Sequence, residues 1–389
     1  MRIAVLCSDL GVRVPGEKGA SLHLCAISTA LARTGNDVML VGVAGHGPPP
    51  AEVHPLLLPH PGRSEGLRRE LRKLAFVQRL AKSARGPLAE FAPDVIYERL
   101  SLFGTAGARL AAALGVPHAV EVNSLLAEEE ARWRGLRLGR LAGRRELSVL
   151  TGVGLRVAVS EELRARLERM APGPRTEVVP NGVDAQLFGR LPSRAEARRR
   201  FGLPMDQPVL GFAGALRPWH GLETAIDALP AIDGALLAVA GDGSHRRALE
   251  RLAAGRGVSE RVRWLGHVPH KEMPAFLAGL DAAVAPYPPL DHFAFSPLKL
   301  YEYLAAGVPV VASDIGQVRE VLEDGRLGGL VPPGDPDALT AMLRSVLASP
   351  GARASAAEAR GRMLELHSWD ARARLLRDLL ATQTGALAA

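Results

Sequence analysis

Val209-Leu210-Gly211-Phe212-Ala213-Gly214-Ala215-Leu216-Arg217-Pro218-Trp219-His220-Gly221 opens the second half of a 389-residue chain. Five small or apolar residues lead into a glycine-bounded loop carrying a guanidinium and an imidazole, and helix-period sequence follows. An apolar run without polar alternation reads as a strand buried on both faces, as parallel sheets covered by helices require. The same unit recurs at Ala235–Ala240, Val262–Leu265, Ala282–Pro286 and Val308–Ala312, with helical sequence between. Upstream, Ile3–Cys7, Asp37–Val43, Asp94–Tyr97, His118–Val122 and Arg156–Val159 read as strands, and Ser21–Arg33 as an amphipathic helix. Strands alternating with helices pair in parallel through right-handed crossovers. The fold class is therefore α/β, with two Rossmann-like, doubly wound parallel sheets.

The turn-rich Pro180-Asn181-Gly182-Val183-Asp184 separates them, giving domains 1–180 and 181–367. A last segment, Trp369–Thr382, has Ala371, Leu375, Leu376, Leu379 and Leu380 at helical spacing. It reads as a surface helix or as one packed back across the seam. Hydrophobic residues make up 47% of the chain but aromatics only 4%, so the cores rest on Leu, Val, Ala and Ile. Two cysteines, Cys7 and Cys25, are too few for a disulfide scaffold or a zinc site and suit a reducing compartment. Met1–Leu10 carries Asp9 and reads as a buried strand, not a signal peptide; no apolar run approaches the ~20 residues that span a bilayer. A soluble, cytoplasmic protein is expected. The net charge of +7 admits anionic partners, but it is spread along helices without a zinc-finger or RNA-binding pattern, so nucleic acid is not expected as a partner.

In open α/β sheets ligands bind beyond the carboxyl ends of the strands. Gly16-Glu17-Lys18-Gly19-Ala20-Ser21 follows the first strand and opens a helix, whose free amides bind phosphate or sugar oxygens. It is neither GxGxxG nor a Walker sequence. In the 214–221 loop, Arg217 suits a diphosphate through its planar fork, with His220 beside it. Gly241-Asp242-Gly243-Ser244 is a turn after the next strand, and the backbone of Gly266-His267-Val268 ends another, where it can meet a base edge. In Phe295-Ser296-Pro297-Leu298-Lys299-Leu300-Tyr301-Glu302, Ser296 suits a helix cap with Pro297 in the first turn, presenting amides and Lys299 to an anion. Glu302, about two turns in, can accept hydrogen bonds from the vicinal diol of a ribose; Leu298, Tyr301 and Ala305 form the packed side.

Taken together these residues resemble glycosyltransferase family four, retaining enzymes of the GT-B fold. The resemblance rests on Val179-Pro180-Asn181-Gly182-Val183-Asp184, Gly211-Phe212-Ala213-Gly214, Gly241-Asp242-Gly243, Ser296-Pro297-Leu298-Lys299 with Glu302, and Ala305-Ala306-Gly307-Val308-Pro309-Val310-Val311, in order. It implies a central cleft between the domains, a nucleotide sugar lying mainly on the second, and helix 368–389 returning to the first. It implies Glu302 on the ribose, Arg217 and Lys299 near the diphosphate, the Gly266–Val268 backbone near the base, and the loop of Gly16, Gly19 and Ala20 approaching from the first domain. The chain departs from the family pattern at three places. Ala215 and His220 stand where many members have Arg and Lys, so Arg217 with His220 is expected to substitute. Ala294 stands where many have a second glutamate, with Asp291 and His292 nearby. Glu121-Val122-Asn123 replaces a Thr-x-His sequence, so Asn123 is expected to contact the sugar without acting as a base.

Without a clear nucleophile, retention implies a front-face route in which the leaving diphosphate takes the acceptor proton, with Arg217, Lys299 and helix amides stabilising the charge. No metal-binding signature is evident, so no obligatory metal or other cofactor is expected beyond the donor substrate. The acceptor classes left open are a small metabolite, a glycan and a lipid-linked sugar. Two basic stretches, 67–85 and 132–145, carry Leu67, Leu71, Leu74, Val77 and Trp133, Leu136, Leu138, Leu141. They read either as core-packed helices with a solvated basic face or as contacts to an anionic membrane. Competing functions are a nucleotide-sugar epimerase on the same fold and a non-catalytic nucleotide-binding module.

Overall fold

The computed structural model describes residues 1–291, 293 and 296–385. These form two compact units. The first holds Met1–Asn181, Ser296 and the chain from Trp369; the second holds Gly182–Phe293 and Pro297–Ser368. His292, Ala294 and Phe295, singled out in the sequence, lie outside the described residues.

The first unit contains β1 (Arg2–Cys7), β2 (Arg13–Val14), β3 (Asp37–Ala44), β4 (His54–Leu58), β5 (Val95–Arg99), β6 (His118–Val122), β7 (Leu155–Ala158) and β8 (Arg175–Val178). They form one sheet in the order β2-β3-β1-β5-β6-β7-β8, with β4 also on β3, and the pairings are parallel. In β1, Ala4 and Leu6 share a core with Phe76, Val77 and Leu80 of the Gly66–Phe91 helix. The alternate residues Ile3, Val5 and Cys7 are equally buried, so both faces of the strand are covered. Strand β5 runs two residues beyond the expected Tyr97 and thereby carries Arg99 into the sheet.

The last helix, Trp369–Thr384, packs on the Gly19–Arg33 helix of this unit. Arg33 grips Asp370 through Nε and Nη2 at 3.1 and 2.7 Å, and the Trp369 ring meets His23 edge-on at 5.0 Å. Its buried residues are Trp369, Ala373, Leu376 and Leu380, whereas Leu375, assigned to the apolar stripe from spacing, is exposed. Trp369 sets the phase: steps of four, three and four residues from it reach the other three.

The second unit contains β9 (Val209–Ala213), β10 (Leu236–Ala240), β11 (Val262–Gly266), β12 (Ala282–Ala285), β13 (Val310–Ser313) and β14 (Gly329–Val331). Their order β11-β10-β9-β12-β13-β14, all parallel, is the 3-2-1-4-5-6 order of a doubly wound sheet, whose direction of winding reverses between β9 and β12. Leu210, Phe212, Leu237, Val239, Val284 and Val311 form the core with the covering helices. Strand β14 escapes the sequence reading because its three residues begin with glycine. Among the described residues no helix is long and apolar enough to cross a membrane. Both cysteines are free, and burial pushes the Cys7 thiol up to about 12 and Cys25 up to about 11.

Candidate functional site

The β9–β12 reversal places two loop systems side by side at the carboxyl ends of the second sheet. Gly214 donates its N–H to Ala240 (2.9 Å), and Leu216 donates to Asp242 (3.0 Å), so the loops after β9 and β10 are laced together. A Cβ at Gly241 would lie 1.9 Å from the Gly214 carbonyl, and one at Gly243 would lie 2.3 Å from that of Leu216. Only glycine fits that approach. Gly241 also donates to Gly266 at 2.7 Å, which ties in the end of β11. Gly221, at φ +64°, passes so near the Pro286 carbonyl that a Cβ would lie 2.0 Å from it.

Lys299 enters this region from the Leu298–Ala305 helix. Its Nζ is shielded from solvent and has no hydrogen-bond partner among the described residues, although the residue as a whole is only half-buried. The ammonium lies 4.1 Å from the Phe212 ring centroid and 5.4 Å from that of Tyr287. A Cβ at Gly214 would stand 3.3 Å from it. Burial pushes the ammonium down to about 7, against the opposing charge of Glu302. A cation at this depth without a partner is costly to hold, and an anion is the chemical group that can offset that cost.

His220 Nδ1 lies 2.5 Å from the Ala215 carbonyl oxygen. A carbonyl only accepts, so Nδ1 carries the proton. Burial and then the charges of Lys299 and Arg217 push the imidazole down to about 3, against the hydrogen bond to Ala215. At neutral pH His220 is therefore uncharged, with Nε2 as an acceptor. Arg217 donates to Ser244 Oγ (2.8 Å) and stacks 5.9 Å from the Trp219 ring.

Glu302 lies just over one turn into its helix rather than two, because the helix begins at Leu298. Its Oε1 accepts from His270 Nε2 at 2.8 Å. Ser296 does not cap this helix: Pro297 occupies the cap position without a side-chain bond. Ser296 Oγ instead accepts from the Asn181 N–H (3.3 Å), and its carbonyl accepts from Asn181 Nδ2 (2.7 Å). Leu298 is only half-buried; Leu300, Tyr301, Tyr303, Leu304 and Ala305 form the packed side. Tyr303 anchors the helix to β9, its hydroxyl accepting from the Ala213 N–H at 2.7 Å. His267 is exposed and Val268 buried in the turn leading to His270.

In the first unit, Gly19 and Ala20 form the first turn of the Gly19–Arg33 helix. Gly16 is packed so that a Cβ would lie 2.7 Å from the Arg13 carbonyl. Asn123 donates from Nδ2 to Glu121. Glu121 is the centre of a buried cluster that the sequence reading missed. Tyr97 Oη donates to Oε2 at 2.6 Å, Arg99 Nη1 to Oε1 at 2.9 Å, and His23 Nε2 stands 2.8 Å from Oε1. The other ring nitrogen of His23, Nδ1, lies 2.6 Å from Asn181 Oδ1. Burial opposes ionisation of Glu121, but the charges and hydrogen bonds of His23, Arg99 and Tyr97 prevail and hold the carboxyl well below the usual carboxylate range. The signal available beforehand was a carboxylate inside the otherwise apolar run His118–Val122.

Two doubly wound parallel sheets, one with a buried ammonium and glycine-only loops at its reversal point, define an α/β protein of two Rossmann-like units. Residues 193–363 match the family described as glycosyl transferases group 1, and residues 18–187 match Glycosyltransferase Family 4. The D-inositol 3-phosphate glycosyltransferase of Xylanimonas cellulosilytica is 30% identical over 94% of this chain and 92% of its own length. A GDP-mannose-dependent alpha-(1-6)-phosphatidylinositol monomannoside mannosyltransferase of Mycolicibacterium smegmatis is 34% identical; there the alignment spans 63% of this chain and 65% of that protein. Among solved structures, sucrose-phosphate synthase from Thermosynechococcus elongatus superposes with a TM-score of 0.81 at 22% identity, over 99% of this chain and 100% of that one. The chain belongs to glycosyltransferase family 4 and is a glycosyltransferase of the GT-B fold class.

Proposed function

We propose that the chain transfers a sugar, with retention at the anomeric carbon, from a nucleoside-diphosphate sugar held on its second unit to an acceptor hydroxyl. The observation that carries this reading is the buried Lys299 ammonium at the β9–β12 reversal point, which has no hydrogen-bond partner among the described residues. Lys299 and Arg217 take the diphosphate, which neutral His220 leaves free of a third competing cation while offering an acceptor to a ligand hydroxyl. Glu302 takes the ribose diol, and the Gly266-His267-Val268 backbone takes the base. In the front-face step, the bond from the anomeric carbon to the diphosphate oxygen breaks as the acceptor oxygen bonds on the same face. The acceptor proton passes to the departing diphosphate. Catalysis rests on stabilising that leaving group, and no metal is required.

The test is a thermal-stabilisation screen of UDP-, GDP-, ADP- and dTDP-sugars with Glu302→Ala as control. One nucleotide family should raise the Tm, and the variant should lose the shift. Unchanged turnover in the double variant Arg217→Ala/Lys299→Ala would sink the assignment of the leaving-group site.

For the acceptor, the first unit favours a lipid-linked sugar presented at an anionic membrane. Much of the basic helix is committed to the fold: Phe76, Val77 and Leu80 are buried, and Arg69 and Lys73 pair with Glu130. Its first turns differ, with Leu67 37% and Leu71 51% exposed beside exposed Arg68, and Trp133 is 42% exposed between Arg132 and Arg134. Apolar side chains set among arginines suit a headgroup boundary. Wild-type protein should float with anionic liposomes at low salt, and Leu71→Glu/Trp133→Glu should not. Absence of wild-type flotation leaves a soluble acceptor.

A further inference from the structure

The turn that follows β11 ends in His270, which the donor reading above does not use. His270 opens the short helical turn His270–Glu272, four residues beyond Gly266. Its Nε2 donates to Glu302 Oε1 at 2.8 Å, and the two side chains are 29% and 15% exposed. Among the described residues, the Glu302 carboxylate shows no hydrogen-bond partner besides His270 and its side chain is partly exposed, so one oxygen is held while the other can meet a ligand. Burial opposes protonation of His270, but the hydrogen bond and charge of Glu302, followed by the charge of Asp184, leave its pKa raised. The Glu302 side chain has three rotatable bonds, and a single short bond to a ring fixed in a turn removes most of that freedom before any ligand arrives.

We propose that His270 is a positioning residue for donor binding: it holds the Glu302 carboxylate in the orientation that receives the ribose diol and makes it one rigid unit with the Gly266–Val268 turn. This rests on the reading that Glu302 binds ribose. A neutral or a protonated imidazole can donate from Nε2, and so can the terminal amide of glutamine, which gives the conservative replacement.

The experiment measures Kd by calorimetry for UDP, GDP and ADP with the wild-type protein. It then compares the tightest of these with its 2′,3′-dideoxy analogue in wild type, His270→Ala, His270→Gln and Glu302→Ala. The wild type should prefer the ribonucleotide by about tenfold or more, consistent with a charge-assisted diol contact. His270→Ala should weaken the ribonucleotide about tenfold, leave the dideoxy analogue unchanged, and recover to within about threefold of wild type in His270→Gln. Equal loss for both ligands would mean a general structural role, and no loss for either would mean no role; both overturn the proposal while the ribose reading stands. Tighter ribonucleotide binding in His270→Ala would make His270 a competitor for Glu302 and overturns it as well. A wild type that does not discriminate the two ligands, or that binds none of the three nucleotides, overturns the ribose reading and the proposal together.

Discussion

Lys299 Nζ stands 4.1 Å from the centroid of the Phe212 ring and makes no hydrogen bond among the described residues. A ring face offers an ammonium a weaker partner than an anion does, which is why the proposed donor site gives Lys299 the diphosphate. Burial has already pushed that ammonium down to about 7. A bound diphosphate favours the charged form and raises the pKa, so above pH 7 binding takes up a proton. For the nucleotide sugar that stabilises the protein, affinity should be nearly flat between pH 6 and 7. It should then fall about tenfold for each further pH unit, until the pKa of the bound state is reached. Calorimetry at pH 6.5, 7.5 and 8.5 checks this, and Lys299→Met should bind weakly with no such slope. An equal slope in that variant would place the proton elsewhere.

The glycines of the same region separate into two kinds. At Gly243 a Cβ would lie 2.3 Å from the Leu216 carbonyl, whereas Gly255, the last residue of the Arg246–Gly255 helix, has nothing within 4 Å of the corresponding point. Gly243→Ala should force the two loops apart at a cost of about 1–3 kcal/mol and weaken donor binding. Gly255→Ala should be neutral or stabilise by up to about 1 kcal/mol. Urea unfolding of the two variants measures the contrast. A Gly243→Ala protein as stable as wild type would show that the loops are not in contact.

These contrasts mark what was legible in the sequence. The strand–glycine loop–helix units, Gly214, Gly241, Lys299 and Glu302 are local patterns, each set by a few consecutive residues, and parallel pairing follows from the alternation of strands with helices. The cluster around Glu121 is not local: His23 lies 158 residues from its partner Asn181, and a helix-period reading assigns it only to the buried face of its helix. Ser296 was misread for the same reason. A Ser-Pro pair at a helix start is the usual cap chemistry, but here the hydroxyl is taken by an N–H 115 residues away. His270 sits in a turn whose sequence contains no repeat or motif, and only the fold brings it to Glu302.

Asp281, at the start of β12, gathers three arginines. Arg198 reaches it from the Arg194–Phe201 helix and also donates to the carbonyls of Gly279 (3.0 Å), Pro204 (2.8 Å) and Met205 (3.1 Å). Arg194 and Arg353 approach from the surface, and the Val209 N–H donates to Oδ2 at 2.7 Å. Truncation leaves the fully buried Arg198 without its counter-charge, which typically costs about 3–5 kcal/mol. Asp281→Ala should therefore lower the Tm of the second unit strongly, while the exposed arm Arg353→Ala should cost less than about 1 kcal/mol. Comparable losses in the two variants would mean that the surface arginines, not Arg198, give the cluster its stability.

Glu146 supplies a second pH dependence, in stability rather than in binding. Its carboxylate caps the start of the Leu126–Arg134 helix, accepting the Ala127 N–H at 3.1 Å. Burial nevertheless pushes it up to about 7, against the hydrogen bonds from Ala127 and Leu126. An unfolded glutamate titrates near ~4.3. Between these values the folded protein binds the extra proton, so this residue lowers stability progressively as pH rises from about 4 to about 7 and does so fully above that. Glu146→Gln keeps an oxygen acceptor for the Ala127 N–H and removes the charge. The variant should gain on wild type by about 2–3 kcal/mol between pH 5 and pH 8, with other titrating groups cancelling in the comparison. Parallel urea titrations at the two pH values read this directly. A stability difference that does not change with pH would mean that Glu146 stays ionised in the fold and that its bonds to the helix start outweigh its burial.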